Sequence, residues 1–150
     1  MKKSIPVLVT ILMMIYSAGF AASTKDNVNE KVLAAFSEKF TTAKQVLWIK
    51  TDRYLKATFI YNDQYLFAYF SEAGDYIGIS RNLKSGQLPI NLQTSLKKYL
   101  EEGWIKELFE FSGDNETTYF ATIQNADNNI IIKSTGSNSW SSFKRTKRTK

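Results

Sequence analysis

The chain has 150 residues and contains neither cysteine nor histidine. That excludes disulfides, thiol nucleophiles, Cys-ligated metals and the side chain that most often acts as general base, and with them most hydrolase triads and zinc sites. The formal charge of +6 does not point to nucleic acid, because seven of the 20 basic residues lie at the two ends: Lys2, Lys3, Lys144, Arg145, Lys147, Arg148 and Lys150. The 13 that remain face 14 acidic residues, which leaves a body near −1 and a basic tail at 144–150.

At the N-terminus, Lys2-Lys3 precedes an apolar run from Ile5 to Phe20 and then the small residues Ala21-Ala22-Ser23. This is the layout of a secretory signal peptide over 1–21, with Gly19 and Ala21 at the −3 and −1 positions of the cut. The expectation is an exported chain, 22–150, periplasmic or secreted and not inserted in the membrane after cleavage.

Val28, Val32, Phe36 and Phe40 recur every four residues, the apolar stripe of an amphipathic helix, with Asn27 and Glu30 as a candidate cap pair. Leu88, Leu92, Leu96 and Leu100 repeat that spacing, with Pro89 at a first-turn position and Gly103 past the end. Four strand-like runs follow each helix. They are 45–50, 53–61, 65–70 and 75–81 after the first, and 104–111, 117–124, 129–134 and 139–145 after the second. Turn-forming pieces such as Asn62-Asp63 and Ala73-Gly74-Asp75 separate them. An offset of 64 maps Leu55-Ala57-Phe59 onto Tyr119-Ala121-Ile123 and Leu66-Ala68 onto Ile130-Ile132. The pattern predicts one α+β domain of tandem helix plus four-stranded antiparallel meander units, over about 28–81 and 88–145.

Alternation sorts the strand faces. The small residues Ala57, Ala68 and Ala121 leave room for a helix, so Leu55-Ala57-Phe59-Tyr61 and Leu66-Ala68-Phe70 belong to the covered side. The other side then carries Tyr54, Lys56, Thr58, Ile60, Tyr65, Phe67 and Tyr69, and in the second half Thr118, Phe120, Thr122, Gln124, Ile131 and Lys133. This mixture has two readings. One is a tyrosine-rich interface, with Tyr54, Tyr65, Phe67, Tyr69 and Phe120 as the candidate partner-binding residues. The other is aromatic pairing or burial that merely stabilises the sheet.

Few residues of the sequence form a chemical motif. There is no glycine-rich phosphate loop and no G-x-S-x-G turn. Glu101, Glu102, Glu107 and Glu110 form the densest carboxylate group, but Glu107 and Glu110 fall on opposite faces of one strand. The runs 113–116 and 126–129 contain oxygen ligands without calcium-loop spacing and read as hairpin turns. No catalytic residue, metal site or cofactor is expected.

The pattern Ala35-Phe36, Phe40, Ala43, Val46, Trp48, Tyr54-x-x-Ala57-x-Phe59, Ala68-x-Phe70, Gly74, Arg81 and Leu88-Pro89 resembles exported PepSY-like proteins of the β-lactamase-inhibitor-like kind. The resemblance covers roughly 28–144 and departs where Thr42 stands in place of a common proline. It implies a helix packed on a four-stranded antiparallel sheet, used twice, and a non-enzymatic role, either restraining an exported enzyme or binding some other envelope component. The alternatives are an envelope protein whose basic tail holds anionic polymers, and a cofactor-free carboxylate enzyme.

Overall fold

A computed structural model of the chain describes residues 28–113, 115–136 and 139–148. The signal-peptide segment and Asn27 lie outside the described residues. The elements run α1 (Glu30–Lys39), β1 (Lys44–Lys50), β2 (Leu55–Tyr61), β3 (Gln64–Phe70), β4 (Tyr76–Asn82), a 3-10 turn (Ser85–Gln87), α2 (Ile90–Leu100), β5 (Trp104–Ser112), β6 (Thr117–Gln124), β7 (Asn128–Thr135) and β8 (Ser141–Lys147).

Local chemistry fixes the boundaries. Asn29, not Asn27, caps α1: its side-chain oxygen accepts the Val32 N–H at 3.0 Å. The turn into β1 closes without a proline at Thr42, through Ala43 N–H donating to the Phe40 carbonyl. Asn62 and Asp63 both take positive φ, the geometry of a tight hairpin whose twist matches its strands. Gly103 ends α2 for a reason other than a left-handed cap. A side chain there would collide with the Gln124 carbonyl, so the glycine permits close approach of two backbones.

The sheet differs from the separate meanders that the repeat implied. All eight strands form one antiparallel sheet in sequence order. The join is β4–β5, where Ile79 pairs with Ser112, Ser80 with Phe111 and Arg81 with Glu110. This pairing spans the whole α2 connection and has no hairpin turn to announce it. Its register also keeps the faces in phase: Ala57, Ala68, Ile79, Tyr119 and Ala121 share one side. Both helices therefore cover the same face, and among the described residues no helix covers the other.

On the helix side the core is in two pieces. Val32 and Phe36 of α1 pack on Trp48, Ala57, Phe59, Ala68 and Phe70. The Phe36 ring stands edge-on to Phe59 at 5.0 Å and to Trp48 at 5.3 Å, the geometry aromatic quadrupoles favour. Leu92 and Leu96 of α2 pack on Leu108, Ala121, Ile123, Ile130 and Ile132, with Trp140 donating its indole N–H to the Leu92 carbonyl. Between the two lies a polar seam. Arg81 Nε meets Glu110 Oε1 at 2.6 Å and Arg81 Nη1 reaches Gln64.

The basic segment is structural for most of its length. Residues 144–147 belong to β8, the sheet's last strand, where lysines and arginines discourage pairing with another chain. Arg145 lies 3.9 Å from Glu102, and Arg148 donates to the Asn125 carbonyl.

Candidate functional site

The helix-free face is built row by row across the strands. One row runs unbroken over seven of them: Leu47, Thr58, Phe67, Ser80, Phe111, Thr118 and Thr135. A neighbouring row pairs Ile60 with Tyr65, and then Asn82, Phe109, Phe120 and Lys133.

At its centre this face holds a third core of Tyr54, Tyr69, Phe109, Phe111, Phe120 and Ile131, with Phe67, Ile77 and Phe143 packed against it. The small residues of β4 make it possible. A side chain at Gly78 would sit 2.5 Å from Phe111 Cζ and 2.7 Å from the Ser112 carbonyl oxygen. The bare glycine lets Phe111 fold across β4 and reach Tyr69, ring centroids 5.8 Å apart. Ser80, also on β4, lies 3.2 Å from the Tyr69 hydroxyl and satisfies it. Tyr54 closes one end against Tyr69 at 5.6 Å, held by a turn in which Thr51 Oγ1 accepts its N–H and donates to its carbonyl. Phe109 stacks on Phe120 at 5.1 Å, and Phe143 meets Phe120 edge-on.

This burial corrects the expected contact surface. Tyr54 is 3% exposed, Tyr69 6% and Phe120 1%, so these three rings are core and offer no area to a partner. Lateral ring packing over Gly78 and Ser80 buries them without a covering helix. Phe67 is half-buried, and Tyr65 remains open at 63%. Two residues that sequence reasoning passed over join Tyr65. Leu47, 61% exposed, and Trp104, 54% exposed, both project from the helix-free face, as their pairing with Thr58 and Gln124 requires. Alternation within β1 held the signal: Trp48 packs under α1, so Leu47 and Ile49 must face the other way.

The polar groups are sparse. Lys56 lies with its ammonium 5.6 Å from the centroid of the Phe67 ring, and burial pushes its pKa below the usual lysine range. Lys133 lies 5.0 Å from the Phe143 ring. Burial raises the Glu107 carboxyl above its ordinary range, against the opposing pull of Lys106 and a hydrogen bond with Thr122. Its Oε2 is buried with no hydrogen-bond partner among the described residues. Glu110 points to the opposite face, and Glu101 and Glu102 are exposed at the end of α2, so these carboxylates do not converge. Among the described residues no group of His, Cys, Asp and Glu is placed to hold a metal ion.

No family model matches the chain, and no curated protein matches it in sequence. Solved structures do match in fold. A DUF2874 family protein from Bacteroides ovatus superposes with a TM-score of 0.71 at 16% identity, over 81% of this chain and 89% of that one. A BLIP-like protein from Bacteroides fragilis gives 0.64 at 13% identity, over 81% and 87%. A protein from Bacteroides eggerthii, assigned provisionally to the periplasm, gives 0.70 at 11% identity, over 80% and 88%. The fold is α+β and BLIP-like; at these identities the likeness carries the fold alone. Among the described residues no helix is long and apolar enough to cross a membrane.

Proposed function

We propose that the chain is an exported, non-enzymatic binding or inhibitory module of the PepSY-like, β-lactamase-inhibitor-like kind, and that it captures a protein partner on the helix-free face of its sheet. The observation that carries the reading is the placement of Leu47, Tyr65 and Trp104. These large apolar side chains stand exposed on one face, over a sheet made rigid by buried aromatics. Exposed apolar groups that share a face on a rigid support are the ordinary anatomy of a binding patch. The BLIP-like fold and the periplasmic assignment of a structural neighbour lend support.

The test places the photo-cross-linker p-benzoylphenylalanine at position 47, 65 or 104, and at Ile90 on α2, which is 72% exposed on the helix side. In the cells that make the protein, irradiation should give one discrete protein adduct from the three sheet positions and none from position 90. Adducts only from position 90, or none at all, would reject the face. N-terminal sequencing of the recovered chain should begin at Ala22; a retained Met1 would reject export by cleavage.

A further inference from the structure

We propose that the partner meets the helix-free face with an acidic protein surface, whose carboxylates pair with Lys56 and Lys133 on either side of an apolar centre. The inference rests on the binding reading above and gives its partner a chemistry.

Of the strand residues described on this face, Glu107 is the acidic one, and one of its oxygens is turned into the protein and buried. Lys56 and Lys133 present cations, and neither forms an ion pair among the described residues. Each lies near a phenylalanine ring instead, Lys56 beside Phe67 and Lys133 beside Phe143. An ammonium held against a ring gives up part of its hydration for a weaker attraction, which leaves it receptive to a carboxylate arriving from outside. The lowered pKa of Lys56 reports the same loss of water.

The placement is as informative as the sign. Lys56 is on β2 and Lys133 on β7, the second strand in from each edge of the sheet. Five inter-strand steps of about 4.8 Å set those strands on the order of 24 Å apart along the sheet, the breadth of a standard protein interface. Between them lie Phe67, the buried rings and exposed Tyr65. That order, cation, apolar centre, cation, matches a protein surface with an apolar patch flanked by Asp or Glu. A sugar ring of an anionic polysaccharide could stack on Tyr65 or Trp104 but would leave the aliphatic Leu47 without a counterpart, so the three apolar groups together favour protein.

The experiment uses the full chain in the cells that make it, with a water-soluble carbodiimide as probe. This reagent joins an amine to a carboxylate only where the two already touch. Mass spectrometry should find Lys56 and Lys133 joined through isopeptide bonds to Asp or Glu of the same protein captured by the photo-cross-linker at position 65. Lys97, on α2, should not be joined to it. The Lys56→Gln/Lys133→Gln variant should lose about tenfold or more in capture, with the loss shrinking in high salt. Melting within a few degrees of wild type would confirm that the variant folds.

Capture at position 65 without isopeptide bonds at either lysine, or with undiminished binding by the double variant, would overturn the acidic surface while leaving the binding face intact. Bonds to sugar carboxylates instead of a peptide would overturn it in favour of a polymer. Absence of any adduct at positions 47, 65 and 104 would reject the face and this inference with it.

Discussion

The two faces of the sheet are held together in opposite ways. On the helix side, α1 packs over β1–β4 and α2 over β5–β7 with Trp140, and the charged contact of Arg81 with Glu110 lies between the two apolar cores. On the helix-free side, one aromatic core runs across the join, with Tyr69 of the first half touching Phe111 of the second. The side with helices is thus divided, and the side without them binds the halves to each other. The central aromatics are consequently committed to structure, and of the large apolar residues on this face only those around them, such as Tyr65 and Leu47, stay exposed.

The sharpest way to break this contrast is at the join. Phe111→Ala should destabilise the fold by about 3–5 kcal/mol in urea or thermal melts, since it removes the ring that crosses β4 and leaves a cavity. Gly78→Val should also destabilise strongly, because its side chain must displace both that ring and the immovable Ser112 carbonyl. On the helix side, replacing the ion pair by Arg81→Leu/Glu110→Leu should be neutral or stabilising, because it makes the two cores continuous, whereas Arg81→Leu alone strands Glu110 and should lower the melting temperature. A double variant less stable than the single one would mean that the seam, and not the aromatic side, organises the join.

Smaller effects on the helix-free face appear with pH. The Tyr69 phenol is pushed up to about 12 by burial, which outweighs the Ser80 hydrogen bond. A phenol whose pKa rises on folding is favoured in its neutral form, so its contribution is complete below pH 10 and falls away between about 10 and 12. Alkaline melts should lose stability over that window, and Tyr69→Phe should lose less there. At neutral pH the same substitution should cost about 0.5–1.5 kcal/mol for the missing hydroxyl contact. Glu107 follows the same sign at a lower pH. Its raised pKa means that its charged form opposes folding, so Glu107→Gln should raise the melting temperature slightly at pH 7 and not at pH 3.

What the sequence made legible follows from periodicity. The stripes at Val32, Phe36, Leu92 and Leu96 named the buried helix positions, and alternation named the covered strand residues around Ala57, Ala68 and Ala121. Alternation assigns a side and says nothing about depth. Tyr65 and Tyr69 have the same residue type, strand and face, yet one is open and the other buried, because only Tyr69 stands beside Gly78 and Phe111. The β4–β5 pairing was equally illegible, since no turn joins those strands and their register is set by contacts made only in the assembled sheet. The tyrosine-rich segment therefore marked the helix-free face and overstated how much of it is surface.

Those two tyrosines give the most direct test. Tyr65→Ser and Tyr69→Ser should be compared side by side for melting temperature and for capture of the protein cross-linked at position 47. The account predicts that Tyr65→Ser melts within a few degrees of wild type and loses capture, and that Tyr69→Ser is several kcal/mol less stable. Equal destabilisation by both, or full capture by a folded Tyr65→Ser, would contradict it.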